Sequence, residues 1–291
     1  MFEGVFVPNV TPFLDGSVDE ASLRRLVDYL IEEGISGLVP CGTTGESATL
    51  SHEEHVEVIK IVANQAAGRV PVIAGVGTND TRETKGILKG VDALDLSGYL
   101  VVGPYYNRPS QEGIIEHYRA ISGETEKPIL IYNIPSRTGR NIEVGTIANL
   151  SRIPNIVGVK DASGDICQTM DIIAQTQDDF TVLSGEDYLM FLLSCLGGKG
   201  GIMASAHVVP GKFLSMYEMV KEGRPKEARE LHYQLLPLMR TMFREPNPAP
   251  VKCAMKLLGI IESDELRLPM MRVSASLRED ISGVLHAFGL I

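Results

Sequence analysis

The sequence predicts one (β/α)8 TIM barrel followed by a C-terminal helical extension. Two observations lead there: short β-rich runs alternate with longer amphipathic stretches close to eight times before Glu222, and no Gly, Ser or Pro-rich linker interrupts them. The runs are Val5 to Val10, Gly37 to Pro40, Val70 to Ala74, Tyr99 to Val102, Pro128 to Tyr132, Ile156 to Lys160, Thr181 to Ser184 and Gly201 to Met203. Most are continuously apolar, as strands covered on both faces should be. Between them, Leu23, Leu26, Val27, Leu30 and Ile31, or Val56, Ile59, Ile61, Val62 and Ala63, recur at helix spacing. Ser51-His52-Glu53-Glu54 fits a Ser N-cap with Glu three residues on. After Glu222 the strands stop, and helical stretches follow at Pro225 to Phe243, Pro250 to Leu258 and Ser274 to Phe288. The expected division is a barrel over residues 1–223 and an extension over 224–291.

Composition narrows the class of function. No apolar run approaches the ~18 residues of a membrane span. The start Met1-Phe2-Glu3-Gly4 has no basic segment of a secretory signal, so the expected location is the cytoplasm. Lys and Arg total 27 against 37 Asp and Glu, a net charge of −10 that repels nucleic acid and anionic lipid. An anionic substrate would therefore need locally placed cations. Cys41, Cys167, Cys195 and Cys253 form no Cys-x-x-Cys pair, and reduced, mostly buried thiols are expected.

Active sites of such barrels lie at the C-terminal ends of strands, so polar residues that end apolar runs come first. Lys160 ends Ile156-Val157-Gly158-Val159, and a period of two places it on the face of Gly158 and Ile156, directed into the barrel mouth. The other lysines lie mostly in helical patterns or turns, where a solvated ammonium is expected. A nucleophilic lysine needs desolvation or a nearby cation, and the end of a buried strand provides the first. The competing reading is a buried lysine paired to Asp161 or Glu46. Tyr132, ending Ile129-Leu130-Ile131, could carry protons at the same mouth or simply pack in the core. Thr43 and Thr44, in Gly42-Thr43-Thr44-Gly45-Glu46, could hold a carboxylate or only cap a turn. Gly75-Val76-Gly77 lacks the third glycine of a dinucleotide fingerprint, and Gly197-Gly198-Lys199-Gly200-Gly201 lacks the Walker spacing. His52 and His55 make no His-Glu-x-x-His motif, and no metal site is expected.

At these residues the chain resembles the dihydrodipicolinate synthase family over its full length. The likeness rests on Gly42-Thr43-Thr44-Gly45-Glu46, Pro104-Tyr105-Tyr106-Asn107, Tyr132-Asn133-Ile134-Pro135-Ser136-Arg137-Thr138-Gly139, Gly158-Val159-Lys160 and Asn247-Pro248-Ala249-Pro250-Val251-Lys252. It implies that Lys160 forms an imine with pyruvate, that the derived enamine attacks L-aspartate 4-semialdehyde, and that no cofactor takes part. By the same resemblance Tyr132 is proton donor and acceptor, Thr43 relays protons, and Tyr106 completes the relay from a neighbouring subunit of a homotetramer. Thr44, the backbone of Ile202, Gly42 and Gly185 would hold pyruvate, and Arg137 would grip the semialdehyde carboxylate. N-acetylneuraminate and 2-keto-3-deoxy sugar-acid lyases share the barrel, lysine and tyrosine but generally lack this arginine. A sensor barrel that has lost catalysis is the reading from another class, and Lys160, Tyr132 and Thr43 together argue against it. One departure is Ile202-Met203-Ala204-Ser205-Ala206-His207, where the family more often has Ile-Ser-Val and ends in Asn.

Ser47, Ala48, His52 and His55 follow the second run, while Asn79 and Glu83 occupy the equivalent place after the third. With Tyr105 they resemble the family's regulatory lysine pocket, which implies feedback inhibition by lysine. Without the resemblance, His52, His55 and Glu83 read as first-turn helix residues facing water.

Overall fold

A computed structural model describes residues 2–291. Eight parallel strands carry the barrel: β1 (Gly4–Val7), β2 (Gly37–Leu38), β3 (Ile73–Gly75), β4 (Gly98–Val102), β5 (Ile129–Asn133), β6 (Ile156–Asp161), β7 (Thr181–Ser184) and β8 (Gly200–Ile202). Each pairs with its neighbour, β1 with β8, and the parallel bridge Leu38 to Val72 closes the ring between β2 and β3. Outside run α1 (Glu20–Glu32), α2 (His52–Ala66), α3 (Thr81–Val91), α4 (Gln111–Ser122), α5 (Val144–Leu150), α6 (Ile166–Gln175), α7 (Met190–Cys195) and α8 (Pro210–Lys221). Then come α9 (Pro225–Met242), α10 (Ala249–Leu257) and α11 (Ala275–Ala287). Among the described residues no helix is long and apolar enough to cross a membrane.

Strand ends depart from the sequence reading where proline intervenes. The first strand stops at Val7, before Pro8, and the third starts at Ile73, beyond Pro71. Proline has no N–H to give to a ladder. The last strand is Gly200–Ile202, one residue earlier than expected. An unforeseen hairpin pairs Phe13–Leu14 with Ser17–Val18 around Asp15-Gly16, both at positive φ (50° and 81°), a turn that Asp-Gly favours. The Ser51 and Glu54 capping box at the start of α2 is present as read. Of the four free cysteines, Cys41 and Cys253 are buried but Cys167 and Cys195 are exposed on α6 and α7, so the thiols are not mostly buried.

Two apolar layers result. Phe6, Val39, Ile73, Leu100, Leu130, Leu183 and Ile202 fill the barrel, and a larger shell between strands and helices holds Ile129, Ile131, Ile156 and Val159. A bulge at Val157 decides which way β6 faces: Ile129 pairs with Ile156, but the next residue, Leu130, pairs with Gly158. Gly158 and Lys160 therefore align with the inward Leu130 and Tyr132, while Ile156 turns outward, against the simple period-two reading. A Cβ on Gly158 would collide with the Thr181 carbonyl and the Leu130 side chain.

The unusual segment after β8 ties that strand to β1. The buried Asp187 carboxylate accepts from the N–H groups of Ala204 (3.2 Å) and Ser205 (2.7 Å). His207 Nδ1–H donates to the Ala204 carbonyl (2.8 Å), leaving Nε2 to accept from the Val10 N–H (3.2 Å). The bond accepted at Nε2 needs the neutral ring, and burial pushes the His207 pKa down to about 4, against the opposing pull of the Ala204 carbonyl. With the folded value below the unfolded ~6.5, the unfolded chain binds the extra proton, and stability is lost as pH falls from 6.5 toward 4. His117, also lowered to about 4 by burial, acts in the same direction. His207→Asn should therefore lose less stability than the parent between pH 7 and 4.5, by about 2 kcal/mol. Urea unfolding at both pH values, at one protein concentration, measures this; identical losses would mean that His207 does not titrate as argued.

Candidate active site

The strand ends open into a cavity of about 350 Å³, lined by Gly42, Thr43, Tyr132, Arg137 and Asn247 among others. Lys160 and Tyr132 are register partners on β6 and β5, which places Lys160 Nζ 4.1 Å from the Tyr132 ring centroid. Both are buried, 6% and 5% exposed. The ion-pair reading of Lys160 does not hold. Strand alternation turns Asp161 away, and its carboxylate accepts from Asn133 Nδ2 (3.0 Å), Ser163 Oγ (2.9 Å) and Thr169 Oγ1 (2.6 Å). Glu46 is ion-paired to Lys252. Among the described residues no carboxylate forms an ion pair with Lys160.

Lys160 owes its room to Gly185, where a Cβ would lie 3.1 Å from Lys160 Cε and 2.6 Å from the Ala162 Cβ. The next two residues, Glu186 and Asp187, also follow an apolar strand, a signal the sequence carries for them as it does for Lys160. Burial raises the pKa of both carboxyls, while the charge of Lys160 opposes the rise.

After β2 the chain makes a tight turn in which Gly45 N–H donates to the Gly42 carbonyl and Glu46 N–H to that of Thr43, both at 3.1 Å. A Cβ at position 45 would be tight against backbone, 3.0 Å from the Cys41 nitrogen and 3.2 Å from the Asn9 carbonyl, which favours glycine there. Thr43 is half-buried and lines the cavity. Thr44 is buried and its Oγ1 accepts from Asn247 Nδ2 (2.9 Å), which leaves the threonine proton to be donated elsewhere. Arg137 lies on the one-turn helix Pro135–Thr138, exposed, lining the cavity and without an ion pair among the described residues. Ile202 ends β8 on the inner face, 1% exposed.

Tyr106 is not brought to this cavity within one chain: it is 89% exposed, at a φ of 70°. Its neighbour Tyr105 does line the cavity, together with Ser47, Ala48, His52, His55 and Glu83. Asn79 does not join that lining, and its carbonyl accepts from Asn107 Nδ2 (2.8 Å). His55 does not face water, being 5% exposed with Nε2 bonded to the Gly75 carbonyl (2.7 Å). Burial lowers its pKa. No group of three or more His, Cys, Asp or Glu among the described residues is placed to hold a metal ion.

A sequence profile of the dihydrodipicolinate synthetase family matches residues 1–288. The 4-hydroxy-tetrahydrodipicolinate synthase of Syntrophus aciditrophicus is 47% identical over 291 residues, all of both chains. The chloride-inhibited dihydrodipicolinate synthase of Acinetobacter baumannii, solved with pyruvate, superposes with a TM-score of 0.97 at 39% identity, over 100% of each chain. The enzyme of Cyanidioschyzon merolae, solved with lysine bound, superposes with a TM-score of 0.97 at 38% identity, over 100% of this chain and 99% of that one. With Lys160 and Tyr132 side by side at the strand ends of a barrel that matches these enzymes end to end, the chain belongs to the dihydrodipicolinate synthetase family.

Proposed function

We propose that the chain is a cytoplasmic 4-hydroxy-tetrahydrodipicolinate synthase, a Schiff-base-forming lyase that joins pyruvate to L-aspartate 4-semialdehyde on the diaminopimelate route to lysine. The observation that carries this is Lys160, buried in register with Tyr132 at the strand ends, beside the cavity that Tyr132 lines and, among the described residues, in no ion pair. Residues 1–223 form the catalytic barrel and 224–291 its extension.

In this reading the amine of Lys160 attacks the pyruvate ketone. Proton transfer through Tyr132 and Thr43 releases water and leaves an imine. The protonated imine nitrogen draws electrons from the adjacent methyl group, which loses a proton to give the enamine. The enamine carbon then bonds to the aldehyde carbon of the semialdehyde, whose oxygen takes a proton. Finally the amine of the second substrate adds to the imine carbon, the ring closes and Lys160 leaves. Thr44, with its proton free for an acceptor, holds the pyruvate carboxylate together with the Ile202 backbone, and Gly42 and Gly185 keep the space open. The guanidinium of Arg137, in no ion pair among the described residues, suits the semialdehyde carboxylate.

Borohydride in the presence of pyruvate should fix one reduced adduct per chain at Lys160, and none there in Lys160→Ala. Peptide mapping that finds the adduct on another lysine would sink the mechanism. Arg137→Ala should keep this labelling but lose about tenfold or more in kcat/KM for the semialdehyde, the worth of a charge-assisted pair. Parallel loss of both steps would make the arginine a structural residue.

An aromatic side chain left 89% exposed on a loop supports a second subunit as the destination of Tyr106, within a homotetramer built as a dimer of dimers. Mixed Tyr106→Phe and Lys160→Ala chains should regain activity on subunit exchange, because one kind of site then receives both missing groups. Mixtures as inactive as their parents would remove the support for donation.

Lysine is the proposed feedback inhibitor, held by Ser47, Ala48, His52, His55, Asn79, Glu83 and Tyr105. Support comes from six of these lining the same cavity as Tyr132, with the exposed Glu83 carboxylate open to an ammonium. Tyr105 adjoins Tyr106 and offers a short route for coupling. Initial rates should fall as lysine is added and become insensitive in Glu83→Ala. A parent enzyme indifferent to millimolar lysine would leave the cluster without this role.

A further inference from the structure

Lys252 is an exception to the expectation that the other lysines are mostly solvated, because it is 0% exposed. It belongs to α10, yet its ammonium reaches the Glu46 carboxylate in the turn that carries Thr43 and Thr44. The same Nζ donates to the Glu265 carbonyl (2.8 Å) and lies 4.2 Å from the Phe13 ring centroid. Two further residues from the C-terminal part of the chain hold this turn. Asn247 Nδ2 donates to Thr44 Oγ1 at 2.9 Å. Arg267 donates its backbone N–H to Glu46 Oε2 (3.2 Å) and its guanidinium to the Thr49 carbonyl (2.9 Å) and to both Glu54 oxygens (2.6 Å each).

Glu46 is a non-glycine residue at a φ of 54°, a left-handed conformation that L side chains rarely adopt. Such a backbone persists only where its surroundings impose it. Here the imposing contacts come through the Glu46 side chain, both oxygens of which are held from the C-terminal segment. Were the carboxylate released, relaxation of Glu46 would rotate the peptide planes just before it, which set the aim of Thr43 and Thr44.

We propose that Lys252 and Glu46 are positioning residues, whose buried ion pair holds the turn so that Thr43 and Thr44 face the carboxylate of the keto-acid substrate. The inference rests on the Schiff-base reading of Lys160 and assigns the C-terminal segment a part in substrate binding. A buried pair that served stability alone could be exchanged for less polar groups at little cost, whereas a positioning pair could not be exchanged without loss of function. That difference makes the test.

The double variant Glu46→Gln with Lys252→Met keeps the length at position 46 and shortens the side chain at 252 by one atom, leaves an acceptor for the Arg267 N–H and strands no buried charge. Its borohydride labelling at Lys160 should need about tenfold more pyruvate for half-saturation, while the labelling rate at saturation stays within about threefold of the parent. Arg267→Lys, at the rim of the same contacts, should shift half-saturation in the same direction by about threefold, and it tests the idea even where the double variant folds poorly. Half-saturation at the parent's pyruvate concentration in both variants would overturn the positioning role while leaving the Schiff base intact. Failure of the parent itself to label at Lys160 would remove the Schiff-base reading and this inference with it.

Discussion

Chemistry at Lys160 depends on where the nearby carboxylates are committed. In a buried site an adjacent carboxylate would favour the protonated ammonium and take the lone pair out of use. Two carboxylates compete for that place in the sequence, and both are committed elsewhere. Asp161 faces the outer side of the barrel among Asn133, Ser163 and Thr169, and Glu46 is held by Lys252. Beside Lys160 lie the face of Tyr132 and the space conceded by Gly185, while Glu186 and Asp187, near enough to feel its charge, form no ion pair with it among the described residues.

The bulge at Val157 underlies this division. A one-residue slip reverses every side chain of a strand, so an unbulged β6 paired in the register of Ile129 with Ile156 would set Lys160 among the helices and Asp161 in the mouth. The crowding of Gly158 by the Thr181 carbonyl and the Leu130 side chain shows how closely the strands pack at that level. Lysine position, barrel packing and counter-ion assignment are thus one constraint expressed at three places.

Regions far apart in sequence share the cavity. Thr43, Tyr132 and Asn247 line it together with His52 and Glu83 from the starts of α2 and α3. A ligand held by His52 and Glu83 would therefore share walls with one held beside Thr43 and Tyr132, so any coupling between the two would need no long path. The turn after β2 is central to both, since it presents Thr43 and Thr44 and leads directly through Ser47 and Ala48 into α2.

The sequence by itself determined the eight strands, their alternation with helices, the helix cap at Ser51 and the strand-end residues Lys160, Tyr132 and Thr43, because periodicity, caps and apolar runs are local properties of the chain. Further local signals lie in the same sequence: Asp15-Gly16 announces a hairpin, and Glu186 and Asp187 follow an apolar run. Only the tertiary structure decided that Ile156 faces outward, that Lys252 is buried rather than solvated, that His55 turns from water to the Gly75 carbonyl, and that Asn247 meets Thr44 across 203 residues of sequence. Ile156 and His55 depend on partners brought in by the barrel, Lys252 and Asn247 on the docking of the C-terminal segment, and pairing across such separations leaves no periodic trace in the residues that make it.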